Sequence, residues 1–103
     1  MITFTMLHPR ATTEMLGYIP QFFSESDPRP AAEQLDEAYS HGGGWSPMPK
    51  WRMSHDGIIT YPGDNPLKPI AMAMLRNETI YVYQHAWVGI VQPDKSYQVS
   101  RVD

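Results

Sequence analysis

A chain of 103 residues leaves room for one domain with one modest core, and 42% apolar with 12% aromatic residues is the composition of a folded protein, far from that of disordered chains. Eight basic against eleven acidic residues, with no two Lys or Arg adjacent, speak against a nucleic-acid partner, since phosphate backbones are held by clustered cations. The absence of cysteine excludes disulfides, thiolate catalysis and cysteine-based zinc sites, and fits a reducing compartment.

In chain order, Ile2–Leu7 reads as a short strand or extended arm. It shows neither the basic region nor the apolar run of a secretory leader, and no later stretch approaches the roughly 18 apolar residues of a spanning helix. Neither export nor a membrane is expected. A brief helical turn around Thr13–Leu16 should break at Gly17 and Pro20, with Ile19, Phe22 and Phe23 packing inward. The firmest helix begins at Pro30, where proline suits a first turn, and places Ala31, Leu35, Ala38 and Tyr39 on one side and Glu33, Gln34, Asp36 and Glu37 toward water; Gly42 supplies its stop.

Residues 42–57 are rich in Gly and Pro and contain Trp45 and Trp51, which predicts an ordered loop held by buried aromatics. A short strand follows at Ile58–Tyr61. A second helix is predicted from Pro69 to Arg76, with Ile70, Met74 and Leu75 toward the core and Asn77 in the left-handed terminal position. Three β runs close the chain, Thr79–Tyr83, Trp87–Gln92 and Tyr97–Arg101, the last two joined by a Pro93-Asp94-Lys95-Ser96 turn. Because Trp87, Val88, Ile90 and Val91 are apolar on both faces, the middle run is either covered on both sides or buried in a dimer. With so few short helices to provide cover, a homodimer is expected. The fold class is therefore α+β: one domain over residues 1–103, with a C-terminal three- to four-stranded antiparallel meander packed against two or three short helices.

His41-Gly42-Gly43-Gly44-Trp45 is the most conspicuous string. In lipases and esterases such a run arranges N–H groups around an oxyanion, but that use requires a preceding strand and a GxSxG elbow, and this chain has a predicted helix and no elbow. The local reading is a helix end and a sharp reversal, with His41 near the negative helix terminus and Trp45 packed. A functional version has Gly43, Gly44 and Trp45 receiving an anionic or planar ligand. Asp64, in the turn Tyr61-Pro62-Gly63-Asp64, caps a local N–H or sits at a pocket mouth near Trp45 or Arg52. His8, His41, His55 and His85 lack ligand spacing, so no metal is expected. No P-loop, dinucleotide fingerprint, HExxH or nucleophile–base pair is present, so no catalytic residues and no cofactor are assigned.

Six strings resemble a group of small proteins encoded by tailed bacteriophages and prophages: Leu16-Gly17-Tyr18-Ile19-Pro20, Ala32-Glu33-Gln34, His41-Gly42-Gly43-Gly44-Trp45, Tyr61-Pro62-Gly63-Asp64, Ala86-Trp87-Val88 and Arg101-Val102-Asp103. The likeness spans nearly the whole chain; the group has glycine where Lys50 and Lys95 stand here, so those turns should differ in type or tightness. The resemblance implies synthesis in a bacterial host cytoplasm and an accessory role without an assigned chemistry. The expected function is non-enzymatic binding of a host or phage protein, with His41, Gly43, Gly44, Trp45, Trp51, Arg52, Tyr61 and Asp64 as candidate partner- or ligand-binding residues and Trp and Arg as favoured anchors. The alternatives are a binder of a small anionic or nucleotide-like ligand and a minor virion component.

Overall fold

The computed structural model describes residues 2–38, 52–60 and 65–102. The chain is α+β, and its centre is a five-stranded antiparallel sheet in the order β1-β4-β5-β6-β7. These strands are β1 (Thr5–Met6), β4 (Ala71–Leu75), β5 (Glu78–Val82), β6 (Trp87–Val91) and β7 (Tyr97–Arg101). Between β1 and β4 come α1 (Thr13–Leu16), a 3₁₀ turn at Ile19–Phe22, α2 (Ala31–Ala38) and a separate two-stranded ribbon of β2 (Arg52–Met53) and β3 (Ile59–Thr60). Among the described residues no helix is long and apolar enough to cross a membrane.

The meander follows from its residues. β-branched and aromatic side chains fill β5 and β6, and the strands alternate between two faces. Ile80, Val82, Val88 and Ile90 turn to one side, where they join Ala71, Ala73 and Leu75 of β4 against Ile2, Leu16, Ile19, Phe23, Ala31 and Leu35. Tyr81, Tyr83 and Val99 turn to the other, where Ile59 and Met53 of the ribbon and Leu67 cover them. The two-sided apolar character of β6 is thus met within the chain: N-terminal helices lie over one face and the ribbon over the other. In the turn after β6, Lys95 takes the left-handed conformation (φ 70°), which glycine adopts without strain. Asp94 fixes that turn by accepting from the backbone N–H and hydroxyl of Ser96 at 3.0 and 2.6 Å, and these bonds draw its carboxyl below the usual range.

Several sequence expectations are corrected. The helix expected over Pro69–Arg76 is β4: Ala71, Ala73 and Leu75 are buried while Met72 is half-buried and Met74 exposed, a period of two set by pairing with β5 from Ala71↔Val82 to Leu75↔Glu78. Ala, Met and Leu favour helix in isolation, but the ladder and the two apolar layers override that preference. The left-handed residue at its end is Arg76 (φ 57°) and not Asn77. Gly17 ends α1 as expected, while Pro20 falls within the 3₁₀ turn as its second residue. On α2, Ala38 is exposed and Gln34 is buried, because the Gln34 amide closes the preceding loop: Oε1 accepts from Ser24 N–H at 2.8 Å and Nε2 donates to Arg29 O at 2.9 Å. Tyr39, Gly42, Trp45 and Trp51 lie outside the described residues.

Two polar anchors hold the layers to the sheet. Glu78, buried in β5, accepts from the Ala31 backbone N–H at 2.8 Å, satisfying a first-turn donor of α2 and placing negative charge at the positive helix end. On the opposite face, the Tyr81 hydroxyl donates to His55 O at 3.0 Å and the Tyr83 hydroxyl to Gly57 O at 2.6 Å. Gly57 is obligatory there: its φ is +87°, and a Cβ would lie 2.6 Å from the Tyr81 ring.

Replacing Glu78 with Ala should lower stability by about 1–2 kcal/mol in urea unfolding, the cost of an orphaned helix donor, while Glu78→Gln retains part of the bond. Burial of Tyr83 pushes its hydroxyl above the usual phenol range. The folded state therefore favours the neutral phenol: this stabilisation is full below the unfolded value of about 10 and is lost as pH rises above it. Stability measured from pH 9 upward should fall more steeply in the wild type than in Tyr83→Phe, and equal slopes would show that Tyr83 does not carry the effect.

Candidate functional site

The segment from α1 to the 3₁₀ turn forms an outward corner. α1 is a single turn, so only Leu16 reaches the core. Gly17 ends it with φ +62°, its N–H bonding to Glu14 O at 3.2 Å, and the chain then buries Ile19 and Phe23. The reversal forced at Gly17 throws the intervening side chains outward: Tyr18 is 75% exposed and Met15 45%. A large aromatic left so open beside a second long apolar chain is unusual for a small domain, where exposed apolar patches mark binding surfaces.

Around this corner run three hollows. One of about 530 Å³ lies between Met15, Tyr18, Phe22, Ala38, Ala86 and Val102. A second of about 340 Å³ lies between β1 and α1, lined by Ile2, Phe4, Met6, Thr13 and Pro20, and shares Leu16, Gly17 and Gln21 with the first. A third, polar and also about 340 Å³, continues past Gln21 and Phe22 to Asp27, Arg29 and Glu37. The result is a shallow groove, apolar for most of its course and charged at one end.

The charged end is internally compensated. Arg29 grips Asp27, with Nη2 2.6 Å from Oδ2 and Nε 3.0 Å from Oδ1, and this bond holds the Asp27 carboxyl at about 2. Arg29 also pairs with Glu37, and Arg76 Nη1 donates to Arg29 O at 3.1 Å. Beyond these pairs, Glu14, Glu33 and Asp36 stand exposed on α1 and α2, so the helices that border the groove are acidic.

Of the candidate partner- or ligand-binding residues, only Arg52 falls among the described residues. It is exposed in β2 opposite Thr60, on the ribbon side of the sheet, so the sheet separates it from Tyr18. His41, Gly43, Gly44, Trp45, Trp51, Tyr61 and Asp64 lie outside the described residues. His8 accepts the Arg10 backbone N–H on Nδ1 at 3.1 Å, and His85 is an exposed turn residue with φ 63°. Asp56 is bonded by the Ser54 hydroxyl, which lowers its pKa. No group of three His, Asp or Glu that could hold a metal occurs among the described residues.

Sequence reasoning missed Met15 and Tyr18. The signal was the helix break at Gly17 directly before Tyr18-Ile19-Pro20, which leaves too few positions for both Tyr18 and Ile19 to turn inward. No family model, no curated protein and no solved structure matches this chain.

Proposed function

We propose that this chain is a non-enzymatic accessory protein of a tailed bacteriophage or prophage, acting in the host cytoplasm by binding a host or phage protein on the Met15–Tyr18 surface. The observation that carries the reading is Tyr18, 75% exposed at the lip of an apolar groove of about 530 Å³. Tyrosine offers a rigid apolar body with a polar tip and is a favoured anchor at interfaces. The phage context rests on the six sequence strings.

Charge indicates the chemistry of the partner. The net charge is −3, with six acidic and three basic residues before Trp51, and Glu14, Glu33 and Asp36 are exposed on the two helices that border the groove. A protein segment presenting an apolar side chain to the groove and Lys or Arg to its rim fits both features, and its association should slow and weaken with added salt.

The test is an affinity pull-down from infected cells with mass spectrometry of what is captured. Tyr18→Ala should remove the captured protein, because truncating a central aromatic anchor costs about 2 kcal/mol or more of binding. Its thermal unfolding should match the wild type, since so exposed a side chain contributes little to the core. Arg52→Ala, on the other face, should capture as the wild type does. Loss with Arg52→Ala and retention with Tyr18→Ala would instead place the partner on the ribbon side of the sheet.

A further inference from the structure

The outermost strands of the sheet are β1 and β7. Folded monomers defend such edges with charge, proline, bulges or brevity, because a bare row of N–H and C=O groups templates another strand. β7 ends in Arg101, whose guanidinium lies 6.0 Å from the centre of the Trp87 ring. β1 has brevity alone: Ile2-Thr3-Phe4-Thr5-Met6-Leu7 contains no charge and no proline.

The ladder determines which groups of β1 are open. Thr5 pairs with Met72 and Met6 with Ala71, and Leu7 N–H bonds to Ile70 O at 2.8 Å. Odd-numbered residues therefore turn their backbone groups to β4, while Phe4 and Met6 turn theirs outward, where they meet no partner among the described residues. The flanking surface is apolar. The Ile2, Phe4, Met6 and Pro20 side chains line the adjoining hollow, and Leu7 and Met74 nearby are 44% and 54% exposed.

We propose that the outer edge of β1 is a self-association site, at which β1 of a second copy of this chain adds antiparallel across a two-fold axis and joins two sheets into one. The strand that fits this edge is uncharged and carries apolar residues at alternate positions, to meet the hollow on one face. β1 itself is such a strand, with Ile2, Phe4 and Met6 alternating with Thr3 and Thr5. In the register that pairs Phe4 with Met6 of the second copy, the outward backbone groups of both residues are satisfied in both strands. Thr5 then faces Thr5 of the second copy on the axis, a favourable cross-strand pair with no charge near it. The interface meets the β1 end of the groove and involves neither Tyr18 nor Met15, the anchors of the partner surface described above.

The test uses the purified full chain. Light scattering at high micromolar concentration should give twice the monomer mass of 11.8 kDa. Thr5 has an exposed side chain, so Thr5→Lys leaves the bonds to β4 intact while setting two ammonium groups opposite each other. It should weaken the dimer about tenfold or more with unchanged circular dichroism and thermal unfolding of the dilute protein. Thr5→Cys introduces the one thiol into a cysteine-free chain, and the opposed Cα atoms, about 4.5 Å apart across such a pair, suit a disulfide. Under mild copper-phenanthroline oxidation it should form a covalent dimer far faster than Ser26→Cys, an exposed control. A wild type that stays monomeric, or cross-linking through Thr5→Cys no faster than the control, would overturn the proposal. Tyr18→Ala should dimerise as the wild type does, so failure here and failure of partner binding are read separately.

Discussion

Everything in this fold answers to the two-sided burial of β5 and β6. Their side chains are apolar on both faces, and a sheet of this kind is stable only when each face is taken out of water. The chain divides the task. Single-turn α1, the 3₁₀ turn and α2 close one face with Leu16, Ile19, Phe23 and Leu35, and the β2–β3 ribbon closes the other with Met53 and Ile59. Neither cover is large enough to be an independent unit, and each is fastened by polar bonds reaching out of the sheet.

Those fastenings differ in kind. Toward the helices, the Glu78 carboxylate spans 47 residues of sequence to take the first N–H of α2, which compensates both the buried charge and the orphan helix donor. Toward the ribbon, two tyrosine hydroxyls donate to carbonyls of a tight turn at Gly57, and the Tyr81 ring packs where any Cβ on Gly57 would stand. The helix-side face carries a cost on β7: Gln98 Oε1 and Ser100 Oγ, which share that face with Val88 and Ile90 by register, are buried with no hydrogen-bond partner among the described residues. Unmatched acceptors of this sort weaken packing locally.

Because the covers are small, they leave surface. The Gly17 reversal needed to bring Ile19 back to the core displaces Tyr18 and Met15 outward, and the short β1 closes only two residues of the β4 edge. The partner surface and the self-association edge thus arise from one economy: a short N-terminal segment must close a face, turn twice and return, and it cannot bury every apolar residue it carries.

The meander was legible in the sequence because β-branched and aromatic residues fill Thr79–Tyr83 and Trp87–Gln92 and a Pro93-Asp94 turn separates the last two strands; α1 and α2 were legible from Gly17 and Pro30. The Ile70–Leu75 run was not, since Ala and Met are at home in a helix and only pairing with β5 imposes the period of two. Candidate residues were read from composition, which draws attention to Gly- and Trp-rich loops, and of these Arg52 alone falls among the described residues, exposed and across the sheet from the groove. The Tyr18 surface could not be read that way, because its exposure depends on where Ile19 and Phe23 must go. Local chemistry along the chain determined the strands, turns and helix ends, whereas pairing register and non-local bonds such as Glu78 to Ala31 decided which faces are covered, and so which residues remain open to a partner.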